Sequence, residues 1–155
     1  MYEYKIKVTR VVDGDTVDEE LDLGFNIIYK ERIRLMGIDT PESRTRNKVE
    51  KKLGLKSKAR LKELISENKG NIILKTSKEG KGKFGRILGT LLLTVGDKEF
   101  SVNEFSINDI MIDEGHAREY FGGKKDKLGE WTRQDPVTKI WSRWTSDGYV
   151  VIEAQ

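Results

Sequence analysis

The stretch RIRLMGIDTPES, Arg32 to Ser43, reads as a buried strand whose end carries chemistry. Ile33 to Ile38 has the apolar content of a strand packed into a core, but Arg34 sits in its middle. The strand then breaks into Asp39-Thr40-Pro41-Glu42, with a carboxylate at each end of the four. Proline and aspartate suit a turn, yet a strand end needs neither the arginine nor the acids. Two carboxylates beside neutral oxygens favour a hard cation, calcium or magnesium rather than zinc. An arginine beside such a site matches phosphate oxygens with its planar fork.

On the amino-terminal side, Tyr4 to Val12 alternates as a strand and Asp13-Gly14-Asp15 supplies turn chemistry. Val17, Leu21 and Leu23 mark a second strand interleaved with Asp18, Glu19, Glu20 and Asp22, and that acidic run reads as a solvated face. Gly24 opens a short connection to Ile27-Ile28-Tyr29. In an antiparallel arrangement, adjacent strand ends bring Asp15, Asp39, Glu42 and Arg34 to one rim. Carboxylates gathered that closely repel one another unless a cation neutralises them.

On the carboxy-terminal side, Arg44 to Lys52 is polar and basic and reads as an exposed loop. Ser57, Leu61, Leu64 and Ile65 then fall at i, i+4, i+7 and i+8, predicting an amphipathic helix to about Glu67. Asn71 to Thr76 is a strand, Lys78 to Lys83 a lysine- and glycine-rich hairpin, and Gly85 to Val95 the returning strand. Glu99 to Phe105 reads as one more strand, and Ser106 with Asp109 as a capping box on a short helix stopping at Gly115. Past Gly122, Asp135-Pro136 looks like an N-cap and first helical residue, with Val137, Ile140, Trp141 and Trp144 at helical spacing behind it. Tyr149 to Ile152 suits a short terminal strand. Closely spaced strands with an inserted helix predict an α+β chain built on a small five-stranded barrel of the OB type.

Composition narrows the chemistry. The chain has 155 residues, one domain's worth, with 36% hydrophobic and 35% charged residues and a mean hydropathy of −0.60. No apolar run is long enough to cross a bilayer. The amino terminus has no apolar signal region, which suits a cytoplasmic protein; secretion behind a leader absent from this chain is the alternative. No cysteine is present, which removes disulfides, thiolate zinc sites and cysteine nucleophiles. A serine mechanism would rest on the single histidine, His116, which follows a helix end and reads as a surface or packing residue. The net charge is only +3, so attraction for a polyanion has to come from clusters such as Lys75, Lys78, Lys81 and Lys83, or Arg44, Arg46, Lys48, Lys51 and Lys52.

Three segments in order, VVDGDTV (Val11 to Val17), IRLMGIDTPE (Ile33 to Glu42) and KFGR (Lys83 to Arg86), closely resemble the staphylococcal nuclease-like, or thermonuclease, family. INDIMIDEGHA (Ile107 to Ala117) resembles that family's second helix, and KIWS (Lys139 to Ser142) the tryptophan closing its last one. The resemblance runs from about Tyr4 to Ser142 and implies an OB barrel with three helices, the chain reading as one domain over 1–155 with 122–155 a divergent segment. It implies calcium held by Asp15, Asp39 and the backbone carbonyl of Thr40, with magnesium or another divalent ion as the variant. Glu42 matches the candidate general base, and Arg34 and Arg86 the phosphate-binding arginines. Lys83 and Phe84 sit at the terminal-phosphate and nucleotide contacts, Tyr120 and Phe121 near the aromatic stacking segment, and Asp13 where it reaches the metal through water. The implied activity is hydrolysis of DNA and RNA, single strands preferred, to 3'-phosphorylated products, by a monomer. The rival is a noncatalytic OB-fold nucleic-acid-binding module, against which stands the joint presence of Asp15, Asp39, Glu42, Arg34 and Arg86.

Three departures mark the chain. VDEELDLGFNIIY (Val17 to Tyr29) is longer than the family's hairpin, a lengthening associated with phage-encoded and other intracellular relatives. VNEFSIND (Val102 to Asp109) inserts a strand-like piece before the second helix, and 122–136 is short for the third helix, which Pro136 would interrupt. None touches the catalytic positions.

Overall fold

Strand β1 (Tyr2–Asp13) pairs antiparallel with β2 (Thr16–Asp22) across the Gly14-Asp15 turn, and β2 with β3 (Ile28–Leu35). The computed structural model describes residues 2–81, 87–94, 105–122, 132–134, 141–145 and 148–151. After the two-residue β4 (Ile38–Asp39) come helix α1 (Lys48–Glu67), β5 (Ile72–Lys81) and β6 (Ile87–Leu93). The sheet runs β3-β2-β1-β5-β6 and closes on itself, because Ile33, Arg34 and Leu35 of β3 pair in parallel with Ile87, Leu88 and Gly89 of β6. The result is a closed five-stranded mixed barrel, an OB-like α+β fold, and the expected barrel is there. Strand β7 (Phe105–Ser106) extends the sheet beyond β6, and α2 (Ile107–Asp113) follows it directly. Strand β8 (Arg118–Glu119) pairs with β4.

The alternation read in the strands fills the barrel. Val11, Val17, Leu21, Ile33, Leu35, Leu74 and Leu91 form one buried cluster, and Leu61 and Leu64 of α1 with Ile107, Met111 and Ala117 join it. Each of these side chains larger than alanine contributes roughly 1.5–3 kcal/mol when removed from water, before entropy is charged against it. Asn108 anchors α2: its amide donates to the Met36 carbonyl at 2.8 Å, and its Oδ1 accepts from Leu91 N–H at 3.1 Å. A buried polar group satisfied at once from a strand (Leu91) and from the turn after β3 (Met36) fixes a helix in register. Among the described residues no helix is long and apolar enough to cross a membrane.

Four expectations are corrected. Helix α1 begins at Lys48, so the basic loop expected over Arg44 to Lys52 is in its second half helical. The cause is local: the Asn47 side chain accepts from the Val49 and Glu50 N–H groups as an N-cap. Strand β5 runs on to Lys81, through most of the expected hairpin. The third helix expected from Asp135 fails at its tryptophans. Trp141–Thr145 is strand β10, between β9 (Thr132–Gln134) and β11 (Gly148–Val151). Two helices, α1 and α2, are present among the described residues; 135–140 lies outside them. The helical spacing rested on few positions, and tryptophan, threonine and the Tyr-Val-Val of β11 favour strands. The terminal strand near Tyr149 is present as β11, and the piece expected from Glu99 is described only at Phe105. The acidic run is not uniformly solvated, because Glu19 is only 1% exposed.

Candidate active site

Arg34 draws the two acids together from separate segments. Its Nη2 lies 3.3 Å from Asp15 Oδ2 and 3.5 Å from Asp39 Oδ1, and all three side chains are buried. Asp15 ends the β1–β2 turn, Arg34 is the penultimate residue of β3, and Asp39 closes β4. Backbone bonds fix the frame. The Leu35 N–H donates to the Asp15 carbonyl at 2.8 Å, and the Thr40 N–H donates to Asp15 Oδ2 at 3.1 Å. Thr16 Oγ1 donates to Asp15 Oδ1 at 2.9 Å. A register shift in β1 between Val11 and Asp13 lets the turn twist toward β3. Asp13 is tied by a hydrogen bond from Ser43 Oγ, which joins the first acidic turn to the loop after the second.

Helix α1 holds both acidic turns in place through two small residues. A Cβ on Gly54 would collide with the Glu42 carbonyl, and would stand 2.7 Å from the Pro41 oxygen. A Cβ on Gly14 would stand 2.7 Å from Ser57 Cβ and 3.0 Å from Thr40 Cγ2. The helix therefore presses against the DGD turn and the DTPE turn along one face. Ser57 Oγ donates to the His116 carbonyl at 2.6 Å and ties that face to the chain after α2. Glu42 is exposed at the surface of this junction, its N–H donating to Glu50 Oε1 at 3.4 Å. Sequence reading singled out neither Gly54 nor Ser57 as a packing residue for the site. A glycine inside an otherwise good helix was the available signal.

Arg118 was missed as well. It sits opposite Asp39 in the β4–β8 pairing, with Nη2 at 3.6 Å from Asp39 Oδ2 and its guanidinium 5.5 Å from the Tyr120 ring centroid. Tyr120 is thus a neighbour of the acid cluster through Arg118, and its N–H donates to the Gly37 carbonyl at 2.9 Å. Phe121 is 85% exposed and lies over Gly37, beside the site rather than in it. Lys83, Phe84 and Arg86 lie outside the described residues. His116 is half-buried; burial lowers its pKa, and it reaches the site only through its backbone carbonyl, in keeping with packing.

The donor set suits a hard cation. Asp15 and Asp39 bring carboxylate oxygens to one place, and the buried Thr40 Oγ1 beside them has no hydrogen-bond partner. Oxygen donors of this kind match calcium or magnesium. Among the described residues no group of three or more acids and histidines is arranged to hold a metal, so further ligands would be backbone oxygens and water. Exposed basic residues flank the site: Arg44 and Arg46 before α1, and Lys48, Lys51, Lys52 and Lys56 along its first turns.

A model of the staphylococcal nuclease homologue family matches residues 32–136 of this sequence. The chain belongs to that family. Among curated relatives, the thermonuclease of Staphylococcus intermedius is 32% identical over 142 residues, covering 88% of this chain and 75% of the relative. Endonuclease YhcR of Bacillus subtilis is 27% identical over 161 residues, covering 89% of this chain but only 12% of that protein. Endonuclease YncB of the same organism is 26% identical over 154 residues, covering 86% of this chain and 64% of the relative. The chain thus spans a small part of YhcR and most of the thermonuclease. Membership of this family supports a nuclease function.

Proposed function

We propose that the chain is a calcium-dependent nuclease that hydrolyses phosphodiester bonds of DNA and RNA, favouring single strands, acting as a monomer and leaving 3'-phosphorylated products. The observation that carries this reading is the buried cluster of Asp15, Asp39 and Arg34, with Glu42 exposed on the adjoining turn. Asp15, Asp39 and the Thr40 carbonyl would hold the cation, which supplies electrophilic stabilisation of charge on phosphorus. Arg34 and Arg86 donate to the phosphoryl oxygens, where charge grows as the bond breaks. Glu42, open to solvent, orients water and accepts its proton. Arg44, Arg46 and the lysines of α1 hold further phosphates of the strand, and Lys83, Phe84, Tyr120 and Phe121 the nucleotide beside the cut.

The test is incubation of the purified chain with single-stranded DNA and RNA, in calcium, in magnesium and in chelator. Cleavage in calcium that stops in chelator, with 3'-phosphate ends, is expected. Full activity in excess chelator would overturn the metal dependence. Binding without cleavage under every cation would mean a noncatalytic nucleic-acid-binding module.

A further inference from the structure

Arg34 has two tasks that compete. In the structure its Nη2 stands between the buried carboxylates, at 3.3 and 3.5 Å. The proposed function also asks it to donate to phosphate. A fork turned toward phosphate loosens its hold on an acid, so a contact on the other carboxyl oxygen of Asp39 bears on how that acid is oriented.

We infer that Arg118 is the positioning residue for Asp39, its guanidinium standing at ion-pair distance from Oδ2 while Arg34 faces Oδ1, so that Oδ1 stays turned into the site. Its Nη2 is 3.6 Å from Asp39 Oδ2, whereas Arg34 approaches Oδ1. The side chain is well placed for constant duty, being only 12% exposed and lying over Tyr120. Its backbone is fixed on both sides. The preceding His116 and Ala117 N–H groups donate to the Met111 carbonyl at 2.9 and 3.0 Å, and Ala117 is fully buried. Beyond it the Tyr120 N–H reaches Gly37. Direct cross-strand pairing of Asp39 with Arg118 sets the spacing between the two side chains. The charges also fit: among the described residues, Arg34 and Arg118 face Asp15 and Asp39 in the resting cluster. The approach to Asp39 Oδ2 uses one guanidinium nitrogen and not the fork, so a lysine can serve it in part.

This inference rests on the proposed cation site, and the experiment separates the two. Calcium binding to wild type, Arg118→Met and Arg118→Lys is measured by calorimetry, and nuclease turnover is followed against calcium concentration. A crystal structure of metal-free Arg118→Met is determined alongside. Outer partners of metal ligands typically tune affinity by about 10–100-fold. Arg118→Met should therefore weaken calcium by at least about tenfold, with turnover largely recovered at high calcium, and Arg118→Lys should restore part of the affinity. The Asp39 carboxylate should be rotated or disordered in the metal-free variant. An unmoved Asp39 overturns the positioning role, whatever the metal data show. So does a loss of turnover that high calcium does not recover, with calcium affinity intact, because Arg118 would then act on substrate. A wild type that binds no divalent ion defeats the cation site itself, while the crystal structure still decides how Asp39 is held. Should the methionine variant not fold, Arg118→Lys carries the same comparison.

Discussion

Glu19 should make the protein less stable as pH rises, which is opposite to the usual behaviour of a folded carboxylate. It points inward from β2 between Val17 and Leu21, and neither carboxyl oxygen has a hydrogen-bond partner. Its cross-strand neighbours are Val8 on β1 and Glu31 on β3, and Glu31 is engaged by the Tyr29 hydroxyl and the Arg32 N–H. Burial raises the Glu19 pKa from 4.5 to about 8. Below pH 4.5 folded and unfolded chains both carry the proton, so the residue imposes no ionisation penalty. As pH rises from there toward 8 the unfolded chain loses its proton while the folded chain keeps it, and stability falls. Above 8 both are ionised and the loss is complete. At roughly 1.4 kcal/mol per tenfold change, the full loss comes to about 4–5 kcal/mol as an upper bound. Glu19→Gln keeps the shape and removes the titration; Glu19→Leu also removes the unpaired polar group. Urea unfolding of metal-free protein at pH 5, 7 and 9 should show both variants gaining on wild type as pH rises, by several kcal/mol at pH 9. Parallel pH profiles for wild type and Glu19→Gln would refute the reasoning, since the carboxylate would then be hydrated or paired in the folded chain.

Arg34→Lys should lower turnover on single-stranded DNA by roughly a hundredfold, the scale of losing one transition-state donor; wild-type rates in that variant would exclude a bidentate role. Glu42→Gln should lose turnover while keeping calcium and single-stranded DNA affinity, because a water-positioning group acts mainly in the transition state; wild-type cleavage would end the general-base assignment. Gly54→Ala sets two effects against each other. Alanine favours the helix by roughly 1 kcal/mol, but its methyl would press into the Glu42 carbonyl, where backbone cannot yield cheaply. Overpacking of this kind costs about 1–3 kcal/mol, so thermal unfolding should show a net loss, together with slower cleavage as Glu42 shifts. A more stable, fully active Gly54→Ala would mean that α1 and the DTPE turn are not in close contact.

Local chemistry made much of this protein legible from its sequence. Alternating apolar residues placed β1 and β2, Ser106 placed the start of α2 by its bond from the Asp109 N–H, and Gly115 ends that helix in a left-handed turn. The ordered motifs named the family and the acids, because spacing along a chain survives as information even where the fold is unseen. Local signals also misled where a short pattern suits two structures, as at Trp141 and Trp144, which lie in a strand. Closure of the barrel decided the rest. The parallel pairing of β3 with β6 brings residues some 54 positions apart side by side, and nothing local encodes such a contact. The fold also buries Glu19, although acidic neighbours on either side give it the look of a surface residue. Packing alone made Gly54 the seat of the DTPE turn and set Arg118 opposite Asp39. A side chain's type is written in the sequence, but its electrostatic surroundings belong to whatever the fold brings within a few ångströms of it.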